Sequence, residues 1–354
     1  MVLAATHLES PSDAVGVDFR RYPQLRFMGS KYRLLPWIQA VLQELEFETA
    51  LDAFSGSGCV SYLLKTMGKQ VHANDFLAFP CDFTRGAIVN STELLDEEDV
   101  SLLTDRAAPS EGFIEETFRG IFFTDEENAF LDRLFCNLDR VTPPKAALAK
   151  SAAYRSCLKR QPRGVFTVAG NRYDDGRRDL RTSMEQHFRE SVEVFNQLVF
   201  DNGQRHSVTC GDVFGREFER PDLVYLDPPY VPRADDNCYI KRYHFLEGLA
   251  TYWHEADFHP TSRVKKLRKR FTPFSYRKEA DAAFDQLFAK FADSTLVLSY
   301  SSSGFPDVER LVELMTRHKK SVTVHRHAHR YHFGTHRQVA PERALVTEYL
   351  IVGT

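Results

Sequence analysis

The stretch from Thr49 to Asp75 restricts the fold more than any other part of this 354-residue chain. Thr49-Ala50-Leu51-Asp52-Ala53-Phe54 reads as a short strand, and Ser55-Gly56-Ser57-Gly58 breaks it. Val60, Leu63, Leu64 and Met67 then recur at helical spacing, and Gly68 is suited to closing that helix. Gln70-Val71-His72-Ala73 reads as a second strand, closed by Asn74-Asp75. Strand, glycine turn, helix and strand within about thirty residues make a βαβ unit. Such a unit requires a parallel sheet with a right-handed crossover and helices covering its faces.

The rest of the chain extends that sheet and then interrupts it. Before it, Leu34, Leu35, Ile38, Val41, Leu42 and Leu45 give a helical pattern with Ser30 or Gly29 as cap; Met1 to Asp18 reads as a loose tail. Residues 91–203 are charged, helix-rich around Phe130 to Leu138, and loop-like at Pro143-Pro144, Gly164, Gly170 and Gly176. Strands resume at Ser207 to Cys210 and at Leu223-Val224-Tyr225-Leu226, the latter apolar throughout as a central parallel strand is. Helices at Phe245 to Trp253, Ala280 to Phe291 and Val308 to His318 follow, with a strand at Thr295 to Tyr300. The last two strands, Val322 to Tyr331 and Leu345 to Val352, have Pro341 between them and no crossover helix, so they pair antiparallel. The expected fold is α/β: a doubly wound sheet from residues 1–90 and 204–354, ending in an antiparallel hairpin and interrupted by a mostly helical insert, 91–203.

Composition excludes several classes. A hydrophobic share of 43%, with 28 Phe and 14 Tyr, fills a sizeable core and argues against disorder. No window approaches the roughly 18–20 apolar residues of a membrane span, so no membrane is expected. The six cysteines are scattered without a C-x-x-C pair, which speaks against a disulfide scaffold or cysteine zinc site and for a reducing cytoplasm. The net charge of −3 hides segregation: Arg263 to Lys278 holds eight bases and no acid. Because charges are screened beyond about 10 Å at 0.1 M salt, a local patch of this kind can bind a polyanion despite the neutral total.

Two clusters carry chemistry. The glycine turn at Phe54, Gly56 and Gly58 stands at the carboxyl end of the first strand, where open α/β sheets bind ligands. Asp75 follows the second strand, where a carboxylate can accept from ribose hydroxyls. A dinucleotide fingerprint wants a third glycine, and Ser61 stands there. S-adenosylmethionine has no pyrophosphate and is served by two glycines; a bare βα turn explains them equally well. The second cluster, Asp227-Pro228-Pro229-Tyr230, directly follows the buried strand. Two prolines remove two N–H donors and leave rigid carbonyl acceptors beside the Asp227 carboxylate, while Tyr230 offers a flat face. That combination suits an exocyclic amino group on a planar base. Its plainer explanation is a Pro-Pro turn ending a strand, and the glycine turn upstream weighs against that.

The order Phe27-Met28-Gly29-Ser30-Lys31, Asp52 to Gly58, Asn74-Asp75, a long insert and then Asp227 to Tyr230 resembles the Dam-type DNA adenine-N(6) methyltransferases. The resemblance implies a methyltransferase sheet that transfers a methyl group from S-adenosylmethionine to the 6-amino group of an adenine flipped out of double-stranded DNA. It implies cofactor contacts at Phe27, Lys31, Asp52, Phe54, Gly56, Gly58, Asp75, Asp212 and Asp227, and a catalytic set of Asp227, Pro228, Pro229 and Tyr230. Glu348-Tyr349-Leu350-Ile351 resembles the family's closing strand. Phe27 stands where many relatives have Trp, and the insert matches only around Gly164 to Val168, so the DNA sequence read does not transfer. A cytoplasmic bacterial or phage monomer is implied, with a companion restriction endonuclease as a candidate partner.

Bases for DNA contact are Arg163 and Arg172 in the insert, and Lys265, Lys266, Arg268, Lys269 and Arg270 in the later run, followed by Phe271, Phe274 and Tyr276. Bases interleaved with aromatics suit phosphate contact with base stacking; a solvated helix face is the competing reading. His325, His327, His329, His332 and His336 read as a basic DNA-facing hairpin and not as a metal site, since no carboxylate accompanies them and the chemistry needs no metal. Two alternatives remain: an RNA or single-strand adenine methyltransferase with the same pocket, and a catalytically silent DNA-binding module.

Overall fold

The computed structural model describes residues 16–161, 164–167, 176–229, 238–254, 256–330 and 345–354. The described strands form one sheet: β1 (Thr49–Asp52), β2 (Gln70–Asp75), β3 (Ser207–Cys210), β4 (Leu223–Leu226), β5 (Thr295–Ser301), β6 (Val322–Arg330) and β7 (Leu345–Gly353). Their order is β3-β2-β1-β4-β5-β7-β6. The first five are parallel, and β7 runs antiparallel between β5 and β6. From β1 the chain first builds toward β2 and β3, then crosses to β4 and β5. The switch point therefore lies between β1 and β4, where connections leave in opposite directions and a crevice opens.

Helices α1 (Leu35–Leu42), α2 (Cys59–Thr66) and α3 (Ala78–Thr84) precede the insert. The insert contributes α4 (Glu97–Leu103), α5 (Phe113–Thr117), α6 (Asp125–Cys136), α7 (Pro143–Arg160), α8 (Arg178–Arg181) and α9 (Met184–Asn196). After it come α10 (Tyr239–Ala250), α11 (Arg277–Lys290) and α12 (Val308–Thr316). The sheet is covered on both faces, and the strands show why. Ala50, Leu223, Tyr225, Val297 and Leu350 join a core with α1, α2 and α3. Their neighbours Leu51, Val224, Leu226, Leu296, Leu298 and Ile351 join Phe284, Leu287, Phe288, Leu311 and Leu314 from α11 and α12. Successive strand residues point to opposite faces, so a strand covered twice must be apolar at every position.

Several local expectations change. Ser30 and Gly29 do not cap α1; a 3-10 turn over Tyr32–Leu34 leads into it, and the Ser30 hydroxyl lies 3.2 Å from that of Ser57 in the glycine turn. Pro143-Pro144 opens α7 instead of a loop, because the first helical turn has no use for their missing N–H groups. Asp18, placed in the tail, accepts from the Arg20 N–H and caps a turn at Phe19–Arg21. Glu127, in the acid-rich stretch Asp125-Glu126-Glu127, is buried and pairs with Arg160 at 2.6 Å. The insert also shares its core with the sheet: the Tyr154 hydroxyl donates to Asp82 at 2.7 Å, and Phe83 stacks on Phe195 with centroids 6.0 Å apart. No described helix is long and apolar enough to cross a membrane.

Candidate active site

The carboxyl ends of β1, β2 and β4 meet at the switch point over an open cleft of about 1120 Å³. Its floor is the glycine turn. Gly56 has φ +50° and Gly58 φ +79°, in the region that favours glycine, and a Cβ on Gly56 would come within 3.1 Å of the Phe27 ring. Asp75 ties this turn to β2: its Oδ2 accepts from the Gly56 N–H and its Oδ1 from the Leu77 N–H, each at 2.9 Å. Phe27 leans over the turn, stacked on Tyr243 at 5.1 Å and 3°. The Tyr243 hydroxyl in turn accepts from the Met28 N–H at 2.6 Å. Phe54 meets Phe274 edge-on at 5.6 Å. Asp212 sits exposed at the rim and accepts from the Phe214 N–H at 3.1 Å.

Three carboxyl groups and one ammonium dominate the electrostatics. Asp52, at the end of β1, is 1% exposed. Its Oδ2 accepts from the Ser61 hydroxyl at 2.6 Å, and its Oδ1 has no hydrogen-bond partner among the described residues. Burial pushes this carboxyl up to about 7; the Ser61 hydrogen bond opposes the shift, and Asp227 and Asp75 add to it. Asp75 is raised by burial to about 6, against the pull of the Leu77 and Gly56 amides. Asp227, just past β4, is also raised by burial, with Lys31 opposing. The buried Lys31 ammonium stands 2.8 Å from Asp227 Oδ1 and donates to the Gly29 carbonyl at 3.1 Å. Pro228 is buried and Pro229 lines the cleft, while Tyr230 lies outside the described residues. Carboxyls outnumber ammonium here, which suits a cationic or amine-bearing ligand.

Residues 27–300 match the D12 class N6 adenine-specific DNA methyltransferases. The chain belongs to that family. Type II methyltransferase M2.HphI of Haemophilus parahaemolyticus is 29% identical over 328 residues, 88% of this chain and 93% of that protein. Type II methyltransferase M.NlaIII of Neisseria lactamica is 22% identical over 309 residues, 84% of this chain and 89% of that one. Type II methyltransferase M.FokI of Planomicrobium okeanokoites is 24% identical over 348 residues, 90% of this chain but 51% of that longer protein. The protein is thus a site-specific DNA methyltransferase acting on adenine.

In this methyltransferase the basic run is not a helix. Residues 256–276 form an irregular strap with one antiparallel bridge, Phe258 to Leu267, and a short 3-10 turn at Pro273–Ser275. Lys265 is exposed and Lys266 partly so; Arg268 pairs with Asp257 at 2.9 Å. Arg270 pairs at 2.5 Å with Glu247, lies 4.7 Å over the Phe76 ring and lines the cleft. Phe274, grouped by sequence with the stacking aromatics, is instead 3% exposed and part of the core. Arg163 and Arg172 lie outside the described residues. Of the other insert bases, Arg155 donates to Ser191, Lys159 faces Asp179 and Glu190, and Arg160 holds Glu127.

Sequence reading missed Glu247. It is buried, and its Oε2 accepts from the Ala78 and Phe79 N–H groups at the start of α3, at 2.8 and 3.4 Å. Its signal was a lone carboxylate inside the apolar run Phe245 to Leu249. Of the histidines, His327 stacks on Trp37 at 5.1 Å, His332 and His336 lie outside the described residues, and no cluster able to hold a metal occurs among those described. Trp253 belongs to the core, packed on Phe118 with centroids 4.8 Å apart.

Proposed function

We propose that the cleft binds S-adenosylmethionine beside an adenine turned out of duplex DNA, with Asp227 and the Pro228 carbonyl gripping the 6-amino group. The buried Oδ1 of Asp52, without a hydrogen-bond partner among the described residues, carries this reading. An orphan carboxyl oxygen in a cleft where carboxylates predominate calls for a cationic donor, and this cofactor carries an ammonium and a sulfonium. The remaining walls fit the group as well. Phe27 and Phe54 give flat apolar faces, Gly56 keeps the floor bare, and Asp75 and Asp212 offer acceptors toward a nucleoside; Gly58 serves the turn itself, its missing Cβ facing the Tyr22 hydroxyl. When bound, S-adenosylmethionine supplies an electrophilic methyl group.

The chain's own residues make the amine ready. An aromatic amine is a poor nucleophile because its lone pair is delocalised into the ring. Two acceptors in a dry site raise its electron density and fix its direction, a gain of positioning and electrostatics. Lys31 opposes the burial that raises the Asp227 pKa and so favours the carboxylate, the form that accepts from an amine. Tyr230 supplies the stacking face. Residues 91–203 form the target-recognition insert on a catalytic domain of 1–90 and 204–354. Arg163, Arg172, Lys265, Lys266, Arg268 and Lys269 meet the DNA strand, and Arg270 joins strap to cleft. The enzyme works as a cytoplasmic monomer, in a bacterial or phage setting, and the type II relatives support a companion restriction endonuclease.

Asp227→Ala tests the assignment with labelled cofactor and plasmid DNA. Methyl transfer should vanish while cofactor affinity, read by calorimetry, falls but stays measurable; retained transfer would refute it. Duplex DNA, single-stranded DNA and RNA offered to the wild-type protein separate the duplex reading from the single-strand one.

A further inference from the structure

The strap over residues 256–276 has two sides. Its inward side is fastened. Arg270 holds the buried Glu247 and covers Phe76, Thr272 lines the cleft, and Phe274 stacks on Phe214 at 5.8 Å and 17°. Its outward side does the reverse. Phe271 is 64% exposed and Tyr276 40%, yet the two rings stack face to face, 5.5 Å apart at 13°, with the Lys269 ammonium 4.5 Å over Tyr276. Among the described residues only Leu94 and Leu345 are other large apolar side chains so exposed. Two aromatic rings held in water cost hydrophobic free energy unless something covers them. No acid lies between Arg263 and Lys278. Asp257 and Glu247 offset Arg268 and Arg270, but the other six bases of the run outnumber them, so the covering partner is an anion. The neighbours of the rings, Arg270, Thr272 and Ser275, line the cleft that takes the target base.

We propose that Phe271 and Tyr276 form a stacking platform for a nucleobase of the DNA strand beside the target adenine, with Lys269 set against the adjoining phosphate. This deepens the methyltransferase reading and rests on it. Fastening the inward side matters because a preordered ring loses little freedom when a base settles on it. Every base has an apolar face, so the platform adds affinity without reading sequence, and the insert is left to choose the site. It also compensates part of the stacking that the strand loses when its neighbour leaves the helix.

The probes are two single strands of equal length, a 16-mer of thymidylate and a 16-mer of abasic sugar-phosphate, which share phosphates and differ only in bases. Fluorescence anisotropy is read on the full chain as wild type, Phe271→Ala and Phe271→Trp, each checked for an unchanged melting temperature. Phe271→Ala should weaken thymidylate binding about tenfold, the scale of one lost base–ring stack, and leave the abasic strand unaffected; Phe271→Trp should bind thymidylate at least as well as wild type. Equal affinity of Phe271→Ala and wild type for thymidylate, or equal weakening on both strands, would overturn the platform. Wild-type methyl transfer to plasmid DNA is assayed in parallel: its failure counts against the methyltransferase reading, whereas a failure confined to the binding arms counts against the platform.

Discussion

Replacing Asp52 with Asn keeps the shape of a strongly perturbed cleft carboxyl and removes its titration. Asp52 is 1% exposed, and burial raises it from 3.8 to about 7. Between pH 4 and 7 the folded protein therefore holds a proton that the unfolded chain has released, so stability falls as pH rises through that window. The full displacement corresponds to about 4 kcal/mol once pH exceeds 7, an upper bound because water in the open cleft relaxes the penalty. At pH 4 both folded proteins carry a neutral, nearly isosteric side chain and the unfolded Asp is only about half ionised. Each accepts from Ser61 and leaves one polar atom unsatisfied, so the two proteins should agree there within about 1 kcal/mol, with the Asn variant ahead by roughly 1.5 kcal/mol at pH 5. At pH 8 the Asn variant should be the more stable by up to about 4 kcal/mol, while its affinity for S-adenosylmethionine falls, as expected where a site stores instability for function. Urea unfolding at pH 4, 5, 6, 7 and 8 without ligand, followed by tryptophan fluorescence, gives the difference directly. A stability gap that does not change with pH would refute the assignment of an unpaired, titrating carboxyl at Asp52.

Lys31→Ala removes the ammonium 2.8 Å from Asp227 and strands a buried carboxylate, which should cost about 3–5 kcal/mol at pH 8 by chemical denaturation and less at pH 5, where Asp227 can protonate. Gly56→Ala forces a side chain to φ +50° with its Cβ 3.1 Å from Phe27; a destabilisation of about 1–2 kcal/mol and weaker cofactor binding by calorimetry are expected. Lys265→Ala and Lys266→Ala should each reduce the slope of log affinity against log salt for duplex DNA by about 0.9 without altering the melting temperature; unchanged slopes would remove them from the phosphate contacts.

Much of this architecture was legible because it is local. The continuous apolar run Leu223 to Leu226 marks β4 as covered on both faces, the Gly56 and Gly58 turn announces the βα corner, and Pro341 with no intervening helix announces the antiparallel closure. The order of short motifs pointed to the family for the same reason: three of them begin at the ends of β1, β2 and β4, and Phe27 to Lys31 stands just before the turn into α1, all beside one crevice. Where the sequence misled, the deciding partner was remote. Pro143 could begin either a loop or a helix until α7 packed against α3 through Tyr154 and Asp82. Phe271 and Phe274 look alike along the chain, yet Phe214 and Phe54 bury one and leave the other at the rim.

What the chain settled by itself is thus the set of elements and the motifs at their ends, since backbone geometry and hydrophobic period act over a few residues. What only tertiary structure decided is which charges meet: Lys31 with Asp227, Glu247 with Arg270 and the amides of α3, and Asp52 with no partner for its Oδ1 among the described residues. These meetings depend on the strand order around the switch point, which brings residues far apart in sequence within 3 Å and removes the water that would otherwise screen them.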